Sequence, residues 1–187
     1  MIIHFVTALF SFYIKLSSGN FKDDGDVAFH FGITNASIED IDRIEEIATA
    51  AFKSTVYYAK PILTTHVEHF PQGFLLAREG KEILGFICGL GARETSIQGW
   101  MYEKKARPEE NPTTFMGLYL AIDPKYQGKG IGTELLRQAE HLSATLGCTR
   151  LTLICEDHLI PLYKKLGYTL DGINALKYGN KTLRFGV

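Results

Sequence analysis

Residues 121–136 read AIDPKYQGKGIGTELL, and no other stretch restricts the fold as much. A strongly apolar run, TTFMGLYLAI at 113–122, ends in it and reads as a strand. A helical run from about Gly130 to Leu146 begins in it, with Gly147 as the C-cap. Between them stand three glycines at alternate positions: Gly128, Gly130 and Gly132. The first amides of a helix lack an intrahelical partner, and together with the helix dipole they favour an anion. Glycine lets the backbone come close to a ligand and reach positive φ. Lys125 and Lys129 add positive charge, and Thr133 offers a hydroxyl in the first helical turn. The turn therefore reads as the cradle of a diphosphate. The plainer alternative is a glycine-rich reversal of the chain.

Two familiar phosphate motifs do not fit. A dinucleotide fingerprint needs G-x-G-x-x-G, and glycines at 128, 130 and 132 break that spacing. A P-loop needs G-K-[ST], and Gly128-Lys129 is followed by Gly130.

The remaining pattern is regular. VAFHFGI (27–33) alternates as a strand does, and Ser37, with Asp40 three residues on, opens an amphipathic helix over 37–52. Its face is Ile38, Ile41, Ile44, Ile47, Ala48 and Ala51. A second helix spans about 62–70 after Pro61. GFLLARE and EILGFICGL make a hairpin around Glu79-Gly80-Lys81. Residues 92–111 are polar and long for a connection, which suits a binding loop, a lid or disorder. TRLTLIC is a buried strand, 158–166 a short helix closed by Gly167, and 168–185 two further strands. The order β-α-α-β-β-β-α-β-α-β-β predicts a mixed α/β domain, one sheet with helices on both faces.

A chain of 187 residues fits one domain, placed at 27–187, and 45% hydrophobic residues suffice for its core. With 20 Lys+Arg against 21 Asp+Glu there is no basic stripe, which argues against nucleic acid. Cys88, Cys148 and Cys155 form no C-x-x-C, so neither a disulfide framework nor a zinc cluster is expected; a reducing, cytoplasmic setting is. MIIHFVTALFSFYIKL (1–16) is short for a membrane span, which needs about 20 apolar residues. It also lacks the basic start of a secretory signal. It reads as an extra packed element, an extension or an anchor, joined by the polar linker 17–26. No membrane association is expected unless that segment anchors the chain.

Gln127-x-x-Gly130-x-Gly132 resembles the acetyl-CoA signature of the GNAT acyltransferases, [QR]-x-x-G-x-[GA], with strand and helix placed as in that family. Residues 155–172, CEDHLIPLYKKLGYTLDG, are similar to the end of the serotonin (arylalkylamine) N-acetyltransferases. The shared features are Cys155-Glu156-Asp157, Pro161-Leu162-Tyr163 and Gly167-Tyr168. The likeness covers roughly 28–187.

The resemblance implies a GNAT-like fold, its central, mostly antiparallel sheet splayed at the cofactor site. Acetyl-CoA would be the co-substrate, without a metal. Gln127, Gly128, Lys129, Gly130, Ile131, Gly132 and Thr133 would hold its diphosphate. Leu120, Ala121 and Ile122 would line the pantetheine arm, with amides near Leu120 polarising the thioester carbonyl. Tyr163 matches the family's tyrosine that protonates the departing thiolate. On residue type alone it reads as an ordinary core aromatic on an amphipathic helix. The implied activity is direct N-acetylation of a small arylalkylamine or polyamine in a ternary complex, by a monomer or homodimer. A protein N-terminal or lysine acetyltransferase, or an acyl-CoA-binding module without turnover, are the alternatives.

One departure stands out. Where the vertebrate branch has two histidines, this chain has Met116 and Leu118, which cannot take a proton. Candidates for the base are then a water chain from the polar loop, Glu156 or His158. Lys60-Pro61-Ile62 is either the branch's substrate loop or a plain helix start. Trp100, Tyr102, Glu103, Glu109 and Glu110 are either a cover for a cationic acceptor or a solvated face. His66 and His69, at i and i+3, have no third ligand near them, so a metal is not expected there.

Overall fold

The computed structural model describes residues 30–52, 60–178 and 181–186. The N-terminal segment and linker lie outside those residues, as does the first part of the strand expected at 27–33.

Four helices form where the pattern puts them: α1 (Ile41–Phe52), α2 (Lys60–His69), α3 (Ile131–Thr145) and α4 (Ile160–Lys165). A 3-10 turn, Ile38–Asp40, leads into α1. Its capping box closes as Ser37 N and Ser37 Oγ both reach Asp40 Oδ2, at 2.9 and 3.0 Å. Ile41, Ile44, Ile47 and Ala48 are buried along one face, whereas Ile38, expected on it, is 51% exposed. Full burial stabilises by about 1.5–3 kcal/mol per large aliphatic side chain, which outweighs the modest helix propensity of isoleucine. Helix α2 starts at Lys60, so Pro61 sits in a first turn that needs no N–H from it.

The strands are β1 (Gly32–Asn35), β2 (Phe74–Glu79), β3 (Glu82–Ala92), β4 (Thr114–Ile122), β5 (Arg150–Cys155), β6 (Leu170–Tyr178) and β7 (Lys181–Gly186). β1 sits later than the alternation in VAFHFGI suggests, because its partner is Leu75–Arg78 of β2 and that register begins at Gly32. The seven strands lie in the order β1-β2-β3-β4-β5-β7-β6, and every pairing is antiparallel except β4 with β5.

Each face of the sheet carries its own core. On one face Phe74, Leu76, Phe86, Cys88, Leu90, Met116 and Leu118 pack under α1 and α2. On the other, Leu75, Leu84, Ile87, Phe115, Leu151 and Leu153 pack under α3 and α4. The connection 93–113 is not a free loop. It contains a 3-10 turn, Gly99–Tyr102, and Ile97, Met101 and Ala106 are at most 2% exposed in the α1/α2-side core.

Two irregularities shape the middle of the sheet. β4 carries a bulge: Cys88 pairs with Tyr119 and Gly89 with Gly117, leaving Leu118 without an opposite residue. Alternation flips there, so Met116, Leu118, Tyr119 and Ala121 all belong to the α1/α2 core, while Leu120 and Ile122 face the α3 side. At the same level β4 and β5 part. Their register runs from Thr114↔Arg150 to Gly117↔Leu153 and stops, although β4 continues five residues further, to Ile122. A bulge bends its strand and adds twist, which is what a sheet needs to open at one point.

Gly89 faces this bulge at close quarters. A Cβ built on it would stand 2.4 Å from the Met116 carbonyl oxygen, an atom that cannot move without the strand. Gly89→Ala should therefore lower stability by about 1–3 kcal/mol, as overpacking does. Urea unfolding should show a lower midpoint with an unchanged m-value.

Candidate functional site

Strand β4 ends at Ile122, and Asp123 after it builds the turn that follows. Its Oδ1 accepts from the Lys125 amide at 2.9 Å, its carbonyl accepts from the Tyr126 amide at 2.8 Å, and its own amide donates to Leu84 O at 2.9 Å. Arg43 of α1 reaches across to its Oδ2 at 2.5 Å and holds Glu46 and Glu82 as well. Burial works to raise the Asp123 carboxyl, but the Lys125 amide and the Arg43 guanidinium outweigh it and hold the group below the usual carboxylate range.

From this anchor the chain runs out into solvent. Gln127, Gly128, Lys129 and Gly130 are exposed. Gly128 and Gly130 both have φ of +77°, the left-handed region where a side chain is strained. Gly130 is the N-cap of α3, and the first intrahelical bond runs from Glu134 N to Gly130 O at 3.1 Å. The amides of Ile131, Gly132 and Thr133 thus lie ahead of the helical ladder. Ile131 is 1% exposed and plugs the α3-side core together with Leu135, Leu136 and Ala139. Only its backbone can face a ligand. The Lys129 ammonium sits 5.8 Å above the Tyr126 ring. Gln127 turns inward instead, its Nε2 donating to Ile122 O at 3.3 Å, so its side chain closes the turn onto β4. The exposed glycines, the positive end of a 15-residue helix and the nearby lysine fit a diphosphate.

The open stretch of β4 adjoins this turn. Because the Asp123 amide points to β3, strand alternation aims the backbone groups of Leu120 and Ile122 the other way, into the gap toward β5. Ala121 lies between them with its groups toward β3. Ile122 O is engaged there by Gln127 Nε2.

Across the gap, Tyr163 projects from α4 toward the end of β5. It is 8% exposed, and its ring meets that of Tyr168 edge to face at 5.6 Å. It lines a small, solvent-open concavity with Cys155, Ile160, Lys164, Tyr168, Thr169 and Leu170. Burial, with the Cys155 thiol beside it, pushes its phenol well above the ordinary value, so the proton stays on. Burial and Asp157 push the Cys155 thiol up to about 11, which makes it a buried apolar filler and not a nucleophile. Tyr168 donates to Glu140 Oε1 at 2.7 Å and so ties the end of α4 to α3.

The other sequence candidates separate. Met116 and Leu118 are buried aliphatic members of the α1/α2-side core, at 0% and 8% exposure. Glu156 and His158 stand 3.4 Å from each other at the start of α4, with the His158 side chain 70% exposed. Glu109 Oε2 accepts from the Arg93 amide at 2.6 Å, and Glu103 lies 3.4 Å from Lys105, so these acids hold the loop to itself. His66 is buried, and its Nε2 donates to Met101 O at 3.2 Å, pinning the same loop to α2. Burial drives its pKa down to about 4.

Two features escaped the sequence pattern. Tyr119, brought to the α1/α2 face by the bulge, packs against Tyr102 at 5.5 Å and Phe52 at 6.2 Å. Glu94 accepts the Trp100 indole N–H at 3.1 Å. An acid followed at i+6 by the chain's lone tryptophan was the only trace of that pair in the sequence.

The chain matches the family model described as the acetyltransferase (GNAT) family over residues 38–168, and it belongs to that family. The family's activity is acetyl-CoA-dependent acetyl transfer. Over 64 residues the chain is 36% identical to serotonin N-acetyltransferase of Mesocricetus auratus, a match covering 34% of this chain and 31% of that one. It spans less than two thirds of the length of the curated relatives it matches. Among solved structures it resembles the PaiA N-acetyltransferase of Thermoplasma acidophilum in complex with coenzyme A: 20% identity, TM-score 0.62, 84% of this chain and 98% of that one. It also resembles Arabidopsis thaliana Naa50 in complex with the bisubstrate analogue CoA-Ac-MVNAL: 15% identity, TM-score 0.65, 86% of this chain and 97% of that one. At these identities the two structures share the fold. Among the described residues no helix is long and apolar enough to cross a membrane, and no group of His, Cys, Asp and Glu is placed to hold a metal ion.

The anchor makes a pH prediction. Asp123 has a lowered folded pKa, so its contribution to stability is present above its unfolded value of 3.8 and is lost as pH falls through the folded one. His66, at about 4 folded against 6.5 unfolded, costs stability over the window between those values. Tm should fall in two stages on acidification, from pH 6.5 to 4 and again below 4. Arg43→Met should lower Tm at pH 7 and flatten the second stage only, as thermal melts at pH 7, 4 and 3 would show.

Proposed function

We propose that this chain transfers the acetyl group of acetyl-CoA to a primary amine, directly and within a ternary complex. The observation that carries this is the fork: five residues of β4 without a β5 partner, opening beside an exposed glycine turn on a helix N-terminus. In this reading the amides of Gly128–Thr133, with Lys129, hold the diphosphate, and Leu120 and Ile122 pair with the pantetheine arm as a strand edge would. Backbone N–H groups near Leu120 polarise the thioester carbonyl; a donor of that kind is worth about 3 kcal/mol in other acyl transfers. Tyr163 donates a hydrogen bond to the sulfur as charge builds on it. Its raised pKa keeps it protonated and therefore a donor at any physiological pH.

The acceptor we favour is a small arylalkylamine, with a polyamine as the neighbouring choice. The partial likeness to a serotonin N-acetyltransferase supports it, and so does the ring cluster of Phe52, Tyr102 and Tyr119 on the face opposite α3. Met116 and Leu118 in place of the branch's histidines weigh against an indoleamine in particular. The fold likeness to Naa50 with its peptide-bearing analogue favours a second reading, acetylation of a protein N-terminus or lysine. A module that holds acyl-CoA without turnover is the remaining alternative. Three free cysteines, two of them buried, suit a reducing cytoplasm.

A thiol-release assay over small amines and peptides, beside calorimetric titration with acetyl-CoA, tests the reading. Turnover of arylalkylamines but not peptides is expected; peptides alone would replace the acceptor, and binding without turnover would leave only a binding module. Tyr163→Phe should lower kcat at least about a hundredfold, in the range of general acid catalysis, with acetyl-CoA affinity kept within twofold. Gly130→Glu should weaken acetyl-CoA binding more than tenfold. Its Tm should drop only by what about 1–2 kcal/mol of left-handed strain implies. Normal affinity in that variant would move the diphosphate elsewhere.

A further inference from the structure

The reaction needs a group to take a proton from the incoming ammonium, and the positions where the resembling branch places histidines are aliphatic. The connection after β3 supplies a carboxylate in their stead. Glu94 Oε1 is fixed by the Trp100 indole, while Oε2 is shut off from solvent and meets no hydrogen-bond donor among the described residues. Leaving a buried carboxylate oxygen unmatched is costly, so such an atom asks for a ligand. Its natural neighbours are otherwise engaged: the Arg93 guanidinium binds Glu110 O and the Arg93 amide binds Glu109.

The location follows from the register. Thr95, next in the chain, accepts through its carbonyl from Thr152 Oγ1 at 3.5 Å. Thr152 is fully buried and pairs with Met116, one pair short of the last contact between β4 and β5. Trp100 and Tyr102 then lie on the same core as Leu118 and Tyr119, beyond the fork. Through Thr95 at its side and through Trp100, Glu94 is held on the α1/α2 face near the last pairs of β4 and β5. A general base there meets the ammonium directly or through one water.

We propose that Glu94 is the general base of this chain: its Oε2 takes the proton of the acceptor ammonium at the fork. This rests on the amine acetyltransferase reading above. The balance is complete. Glu94 removes one proton from R–NH3+ and later gives it to solvent. The freed nitrogen lone pair forms the bond to the acetyl carbon, and the electron pair of the broken C–S bond goes to sulfur. A second proton from nitrogen reaches that sulfur by way of the Tyr163 hydroxyl, leaving amide and thiol.

A panel of acceptors of graded basicity at pH 7 tests this. Glu94→Gln should lower kcat/KM about a hundredfold for an alkylamine that is protonated at that pH, while a hydrazide or arylamine that is already neutral loses less than threefold. Acetyl-CoA affinity and Tm should stay near wild type. Equal losses across the panel would make Glu94 a structural residue and overturn the proposal, as would an unchanged rate with alkylamines. If Glu94→Gln fails to bind acetyl-CoA, Trp100→Phe decides: it keeps the carboxylate and removes its holder, and should give a smaller loss graded in the same way. A flat response there also overturns the proposal. Wild-type protein that turns over no amine at all would instead sink the underlying reading, a separate result.

Discussion

The middle of this sheet depends on β4 and β5 being neighbours that stop pairing halfway. Two adjacent strands normally close on each other, because unpaired backbone groups in a sheet interior are costly. Here each strand is secured on its outer side: β3 holds β4 as far as Ile122, and β7 holds β5 at Leu153–Cys155. The bulge at Leu118 sets the divergence, and Gly89 makes room for it. The gap therefore stays open as a property of the backbone, whatever side chains line it.

The same bulge decides which side chains stand on which face. Without it, strict alternation from Met116 would put Tyr119 under α3 and Leu120 under α1. With it, the Tyr119 ring joins Phe52 and Tyr102, and Leu120 and Ile122 turn toward the helix that begins at Gly130. One extra residue thus sorts the two halves of the site. Arg43 and Asp123 fix the arrangement from outside, since their contact links α1 to the last residue before the turn.

Much of this was legible in the chain. The order of elements, the α1 face apart from Ile38, and the strand–glycine–helix joint follow from local periodicity and turn chemistry, and these agree with the structure. What local pattern could not show was the bulge. TFMGLYLAI is apolar on both faces, so a one-residue flip changes nothing in its pattern, and Gly89 on the partner strand reads as one more glycine. The connection 93–113 reads as polar and open because Ile97, Met101 and Ala106 follow no period; they are buried by contacts distant in sequence, such as His66 with Met101. Arg43 and Asp123 stand 80 residues apart, and no motif links them. Tyr163 shows that the two readings of a tyrosine are compatible: it is a core aromatic by packing and still lines the concavity at the end of β5.

The two separate cores have a consequence for how such a chain diversifies. In the proposed reading the nucleotide side is written mostly in backbone, at Leu120, Ile122 and the glycine turn, and backbone is conserved under most substitutions. The acceptor side, in that reading, is written in side chains on α1 and on a connection pinned by His66, Arg93 and Thr152. Mutations that recast the second surface need not disturb the first. A lineage built on this sheet can change what it acetylates by drift on one side while inheriting its donor unchanged on the other.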